Sequence, residues 1–120
     1  MVTTRDTGEV KHLYQMIKAV RTLQAIDPRM QLQTVMCFLM VANFGPCHMS
    51  NIKETANLSQ ASVSRNCAAL GKFHKKGQEG FGLVETWEDP MNRKSKLVKL
   101  TPKGEALKDA LYEALSKEIV

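Results

Sequence analysis

Apolar positions recur at helical spacing in several stretches of this chain and alternate in two others. Over residues 9–26, Leu13, Met16, Ile17, Val20 and Leu23 fall on one stripe, with Lys11, Gln15, Lys18 and Thr22 turned away, which predicts an amphipathic helix. Residues 1–8 are polar and are expected to fray. Asp27 and Pro28 read as a cap followed by a first-turn proline, so a second helix is predicted over roughly residues 28–43, ended by Gly45-Pro46. It is apolar on most sides (Met30, Leu32, Val35, Met36, Phe38, Leu39, Met40 and Val41), as expected of the buried centre of a fold. Ser50 is the expected cap of a short helix with Ile52 and Ala56 inward. Asn57-Leu58 make a turn, and Ser59 caps a helix predicted to run to about Lys76 with Val63, Cys67 and Leu70 inward.

Past that helix, residues 77–82 (GQEGFG) read as a flexible lead; no GK[ST] follows, so they form no phosphate loop. Period-2 spacing then predicts strands over residues 83–88 and 95–100, with Val98 and Leu100 on one face, joined by a turn over 89–94. Thr101-Pro102 opens a last helix over 102–118, striped by Leu107, Ala110, Leu111 and Ala114. Helix, turn, helix and hairpin in that order predict an α+β, mostly α chain. It is a winged helix-turn-helix over residues 28–104, flanked by helices 9–26 and 102–118, in a single domain of 120 residues. The two flanking stripes lie outside the motif. Leu13, Ile17 and Val20, and Leu107, Leu111 and Ala114, are therefore candidates for dimerisation, the alternative for helix 9–26 being packing on its own core.

Composition narrows the class. Apolar residues make up 43% of the chain, which fits a globular protein. The longest apolar run, Val35 to Ala42, is far short of the ~20 residues that span a bilayer. The N-terminus lacks a secretory pattern, so a cytoplasmic protein without membrane partners is expected. Cys37, Cys47 and Cys67 form no CxxC pair. Cys37 and Cys67 read as core residues, whereas Cys47, after Gly45-Pro46, is a candidate for exposure. His12, His48 and His74 are scattered, and no metal or other cofactor is expected.

Charge points to the partner. Residues 50–104 hold ten Lys and Arg against five acids, so the whole net charge of +5 lies there and the rest of the chain balances. Confinement of positive charge to the motif is the footprint of a polyanion-binding surface. On the helix from Ser59, the outward stripe is Ala61, Arg65, Ala68 and Lys72, with Ser62, Ser64 and Ala69 on its flanks, and no acid occurs from Gln60 to Gln78. Small residues let a helix approach base edges in a major groove, and Arg65 is placed to take the two acceptors of guanine. Ser59, Gln60 and the first backbone amides suit phosphate. An ordinary amphipathic surface helix would show Glu and Lys outward instead.

The string LSQASVSR, followed by the wing DPMNRKSKLVKLTPKGEAL, resembles the multiple-antibiotic-resistance-regulator (MarR) family of winged-helix transcription factors. The match covers residues 50–110, with Asp89, Arg93, Leu100, Thr101 and Gly104 at the family's places and Lys94 at its last basic one. The resemblance implies double-stranded DNA as partner and a homodimer of interlocked terminal helices. It also implies a wing that reaches the minor groove through Arg93 and Lys94, with Lys96 beside them. Three features depart from the pattern. Met91 stands where the family has its first wing arginine, the lead into the wing is longer, and the chain ends at Val120 before a further dimerisation helix. A differently built dimer without a small-molecule effector pocket is accordingly expected.

Three readings follow. The first is a sequence-specific transcription regulator, a homodimeric repressor on a pseudo-palindromic site. The second is a winged-helix adaptor for polymerase or replication proteins, which would need large apolar residues outward on the helix from Ser59. The third is a replication or partition factor. An enzyme is not expected, because alternation sends Glu85 and Glu88 to opposite faces and no histidine accompanies them. Glu85 and Asp89 are better read as partners of wing cations such as Arg93.

Overall fold

A computed structural model describes residues 7–75 and 78–116, the side chains of residues 7–9, 73–75 and 93 excepted. Five helices, α1 (Thr7–Gln24), α2 (Leu32–Phe44), α3 (Met49–Ala56), α4 (Gln60–Leu70) and α5 (Pro102–Ser116), surround a small sheet. The strands are β1 (Cys47–His48), β2 (Phe73–Lys75), β3 (Gln78–Glu79), β4 (Val84–Asp89) and β5 (Asn92–Leu100), and the α+β, mostly α architecture is as expected. Residues 1–6 and 117–118, expected to fray and to extend the last helix, lie outside the described residues.

Helix ends follow local chemistry, with two corrections. Ser59 caps α4 as expected, its Oγ accepting the Ser62 N–H at 3.1 Å. Asn57 takes the left-handed conformation (φ 55°) that closes α3, one of the few side chains that tolerates it. His48, not Ser50, is the N-cap of α3; its N–H donates to Asn51 Oδ1 at 3.0 Å, while Ser50 sits inside the helix. Asp27 does not start α2 either. Its carboxylate accepts the Arg29 N–H at 2.7 Å and its carbonyl accepts the Met30 N–H, so residues 27–30 form a separate turn and α2 begins four residues later.

The core gathers on one side of α2. Phe38 and Val41 pack there with Ile52 of α3, Val63, Cys67 and Leu70 of α4, and Leu83, Val84 and Val98, all essentially inaccessible to solvent. The opposite side of α2, at Leu32, Met36 and Leu39, is exposed, so the helix is not buried all round. A polar pair crosses the α2–α4 seam: Thr34 Oγ1 donates to buried Asn66 Oδ1 at 2.7 Å, and Asn66 Nδ2 donates to the Ser62 carbonyl at 2.8 Å. Asn66→Ala leaves the Thr34 hydroxyl without that acceptor. A loss of about 1–3 kcal/mol is expected, read by urea unfolding.

The wing is antiparallel, in strand order β1-β5-β4. Register runs from Val84↔Leu100 to Glu88↔Lys96 and then slips to Asp89↔Asn92, so Pro90 and Met91 alone form the tip and residues 93–95 bulge within β5. The stretch before the wing is not a loose lead. β2 and β3 pair as a ribbon, and the following backbone is tied to the end of α4 by Gly80 N–H to Lys72 O, Phe81 N–H to Ala69 O and Leu83 N–H to Leu70 O. Those bonds also explain why α4 stops at Leu70 rather than near Lys76, since its last carbonyls are satisfied by this returning strand.

At the other end of the wing, Thr101 joins β5 to α5. Its hydroxyl donates to the Gly82 carbonyl at 2.7 Å and accepts the Gly104 N–H at 3.1 Å, while its own N–H reaches the Leu83 carbonyl. The helix it starts packs on α1. Leu107, Leu111 and Ala114 are 5%, 6% and 7% exposed within the single chain, so that stripe is already covered and is not the outward dimerisation face expected of it. α1 has the opposite arrangement. It buries Gln15 and Ala19, and leaves Leu13, Met16, Ile17 and Val20 exposed at 56%, 56%, 47% and 43%. The stripe of α1 from Leu13 to Val20 therefore stays largely outside the chain's own core, while Leu23 packs against it.

Candidate nucleic-acid interface

α4 presents Gln60, Ala61, Ser64 and Arg65 to solvent, with Ser59 exposed at its start. Its buried positions, Val63, Cys67 and Leu70 among them, hold the helix on α2 and α3, so the polar face is set by the packing of the other. No acid lies in its first turn, and the N-terminal dipole is left for an anion. Among the described residues none forms an ion pair with Arg65. Ala68 is half-buried and gives the face its low relief.

Two expected members of this face stand elsewhere. Ser62 is buried, its hydroxyl donating to Gln33 Oε1 at 2.8 Å, so it ties α4 to α2 and is withdrawn from any ligand. Lys72 follows the end of α4; it is exposed, at the base of the β2–β3 ribbon rather than on the helical stripe. On the wing, Lys94 and Lys96 are exposed on β5, beyond the tip rather than in it. Arg93 also lies on β5, and its side chain is outside the described residues.

The wing acids have partners of their own. Glu85 Oε1 meets Lys99 Nζ at 3.2 Å, and the same ammonium lies 5.6 Å from the Trp87 ring centroid, so Lys99 caps the outer face of the hairpin. Asp89 pairs with His48, with Nε2 to Oδ2 at 2.9 Å, while Oδ1 accepts the Met91 N–H at 2.9 Å. Asp89 thus meets a histidine 41 positions earlier, and the side chain of Arg93, the wing cation expected beside it, lies outside the described residues. The His48 hydrogen bond, helped by the Met91 N–H, holds the Asp89 carboxyl below the usual carboxylate range. A lowered acid contributes its full share above the ordinary carboxylate pKa and loses it as pH falls through the lowered value, so the pair is intact at neutral pH.

The remaining chemistry is quiet. Cys47 is buried on β1, not exposed after Pro46. Burial pushes the Cys37 thiol up to about 11 and, with Cys37 and Cys47 adding to it, the Cys67 thiol up to about 12, which leaves little thiolate at neutral pH. Among the described residues no three His, Cys, Asp or Glu side chains gather as a metal site would need, and no helix is long and apolar enough to cross a membrane. A cleft of about 720 Å³ runs beside α4, lined by Arg29, Gln31, Gln33, Arg65, Gln78 and Phe81 among others. Its volume falls in the range small ligands occupy, about 300–1,000 Å³.

The buried Ser62 and Asn66 were missed by pattern reading, although a signal existed: an asparagine between Val63 and Cys67 on a helix's inward side needs a buried partner. His48 gave no such signal, since its partner is remote in sequence.

A short helix, a tight turn, a second helix with a polar outward face and a β-hairpin behind it define a winged helix-turn-helix. No family model matches the chain, and no curated protein matches it by sequence. Solved structures do. MarR superposes with a TM-score of 0.63 at 16% identity, over 82% of this chain and 64% of that one. AbfR in its reduced form bound to DNA gives 0.65 at 15% identity, over 87% and 70%. An S. aureus MepR mutant bound to an oligodeoxyribonucleotide gives 0.62 at 17%, over 82% and 66%. The fold is therefore a MarR-like winged helix, and the chain spans just under two thirds of the length of MarR.

Proposed function

We propose that this chain is a double-stranded DNA-binding transcription regulator that works as a homodimer. The observation that carries the reading is the exposed, acid-free face of α4, with Gln60, Ala61, Ser64 and Arg65 beside the capped N-terminus at Ser59. Such a face fits a major groove, Arg65 to guanine and Ser59, Gln60 and the first amides to phosphate. Lys72, Arg93, Lys94 and Lys96 then supply backbone and minor-groove contacts from either side of it. AbfR and MepR, solved on DNA, have the same fold and support this use. Large apolar residues are missing from the α4 face, which counts against an adaptor for protein partners.

The dimer rests on α1. Four large apolar side chains at helical spacing and about half exposed form a contiguous stripe that a second copy would cover, setting two α4 helices on one side of the duplex. The site would be pseudo-palindromic, and occupying it at a promoter in the cytoplasm would repress transcription. The work is recognition; no reaction is catalysed. Ile17→Glu with Val20→Glu is expected to turn a dimer into a folded monomer in sedimentation equilibrium, with DNA affinity falling at least tenfold. A wild-type monomer at micromolar concentration would contradict this arrangement.

Titration of duplex binding against salt tests the function itself. Several phosphate contacts predict a steep linear fall of log K with log salt, a slope of about −0.9 per contact. Binding that ignores salt, or is lacking at low salt, would overturn the reading.

A further inference from the structure

Beyond the β1–β5 pairing and the packing of β5 on α2 and α3, a carboxylate ties the tip of the wing to the start of the helix-turn-helix. Asp89 starts the hairpin tip, where Oδ1 accepts the Met91 N–H at 2.9 Å and Asn92 adds a further backbone bond. Its other oxygen takes His48 Nε2 at 2.9 Å. His48 belongs at once to the N-cap of α3 and to β1, which pairs with β5 through Cys47↔Val98 and His48↔Leu97. One end of the contact is therefore fixed to the first helix of the DNA motif and the other organises the two-residue tip. Both side chains are partly shielded, 40% and 17% exposed, so the bond competes less with water than a surface pair would.

From this geometry we infer that His48 is a positioning residue for DNA binding, setting the height and angle at which the wing tip meets the duplex relative to α4. The inference rests on the DNA-binding reading above. The regular β4–β5 ladder ends at Glu88↔Lys96, and beyond the slip only Asp89↔Asn92 pairs, next to the tip. That lone pair closes the tip without a continuous run of ladder pairs to fix its direction, and the His48–Asp89 bond supplies a second hold. Nothing comparable holds the tip from the other side among the described residues, because Glu85 and Lys99 pair further down the hairpin.

Substitution of His48 keeps the half of the α3 capping box made by its backbone N–H to Asn51 Oδ1 and loses the half its side chain makes with the Asn51 N–H, so exchange in the first turn of α3 is read alongside the tip as a control. His48→Ala removes the clamp, His48→Gln keeps a side-chain donor near the same place, and Asp89→Ala removes clamp and tip bonds together. Each is compared by thermal melting, amide hydrogen exchange in the free protein, and duplex affinity across salt. The expected result for His48→Ala is exchange at least tenfold faster at Met91 and Asn92 with α4 amides unchanged. Its duplex affinity should fall about tenfold with a shallower salt slope, partly restored in His48→Gln. In the Asp89→Ala background, His48→Ala should add nothing, as expected for two ends of one contact. Unchanged exchange at the tip, or effects that add independently, would overturn the proposal. A wild-type protein that binds no duplex would overturn the DNA reading, and the exchange measurement would still decide whether the clamp exists.

Discussion

Arg65→Ala is expected to weaken binding to a specific duplex by about 1–3 kcal/mol, roughly five- to 150-fold, and to relax sequence preference at one base pair. The side chain is exposed on α4 and belongs to neither the core nor the Ser62–Asn66 seam, so the melting temperature should hold. A guanidinium reading O6 and N7 of guanine loses two directed bonds on truncation, whereas one resting on phosphate loses only charge. Paired titrations on the specific site and on random duplex separate these. A loss confined to the specific site identifies base reading, and an equal loss on both assigns Arg65 to the backbone.

Gly104→Ala is expected to have a large effect on folding. A Cβ at Gly104 would run into the Leu83 carbonyl oxygen, a backbone atom that cannot rotate away, and would crowd Leu100. That carbonyl already accepts the Thr101 N–H, and Thr101 Oγ1 accepts the N–H of Gly104 itself. Relief requires α5 to lift off the wing, which would break this bond set and loosen α1 against α5. A cost of about 3 kcal/mol, the upper end for overpacking, is expected in urea unfolding. At a typical domain stability of 5–15 kcal/mol this is a large share of the total. A stability change below about 0.5 kcal/mol would show that α5 shifts freely, contrary to the packing described.

The Leu-Thr-x-x-Gly junction was readable as a pattern, and its physical meaning is this close approach of α5 to the strand before the wing. The outward face of α4 was readable because a helix wheel needs only a period and a cap. Ser62 was misplaced because the wheel gives directions, not partners, and Gln33 and Thr34 of α2 turn the α4 side toward Ser62 and Asn66 inward. The end of α4 had a local signal in Gly71, its C-cap, which the apolar period alone overran. Residues 72–76 hold no further helix breaker, and the helix stops at Gly71 because residues 80–83, between β3 and β4, return to its last carbonyls. α1 and α5 show a second limit. Both carry an apolar stripe, yet α5 spends its stripe inside the chain and α1 packs only Leu23 of its own there, a difference that amphipathic spacing cannot encode. The His48–Asp89 bond is a third, joining residues whose proximity only the fold creates.

Selection of bound duplexes from a random DNA library by the purified protein at moderate salt tests whether a dimer reads sequence. A two-fold symmetric motif is expected, with half-sites centred about one helical turn apart, ~10 bp. Recovery of no motif by a folded protein would contradict it.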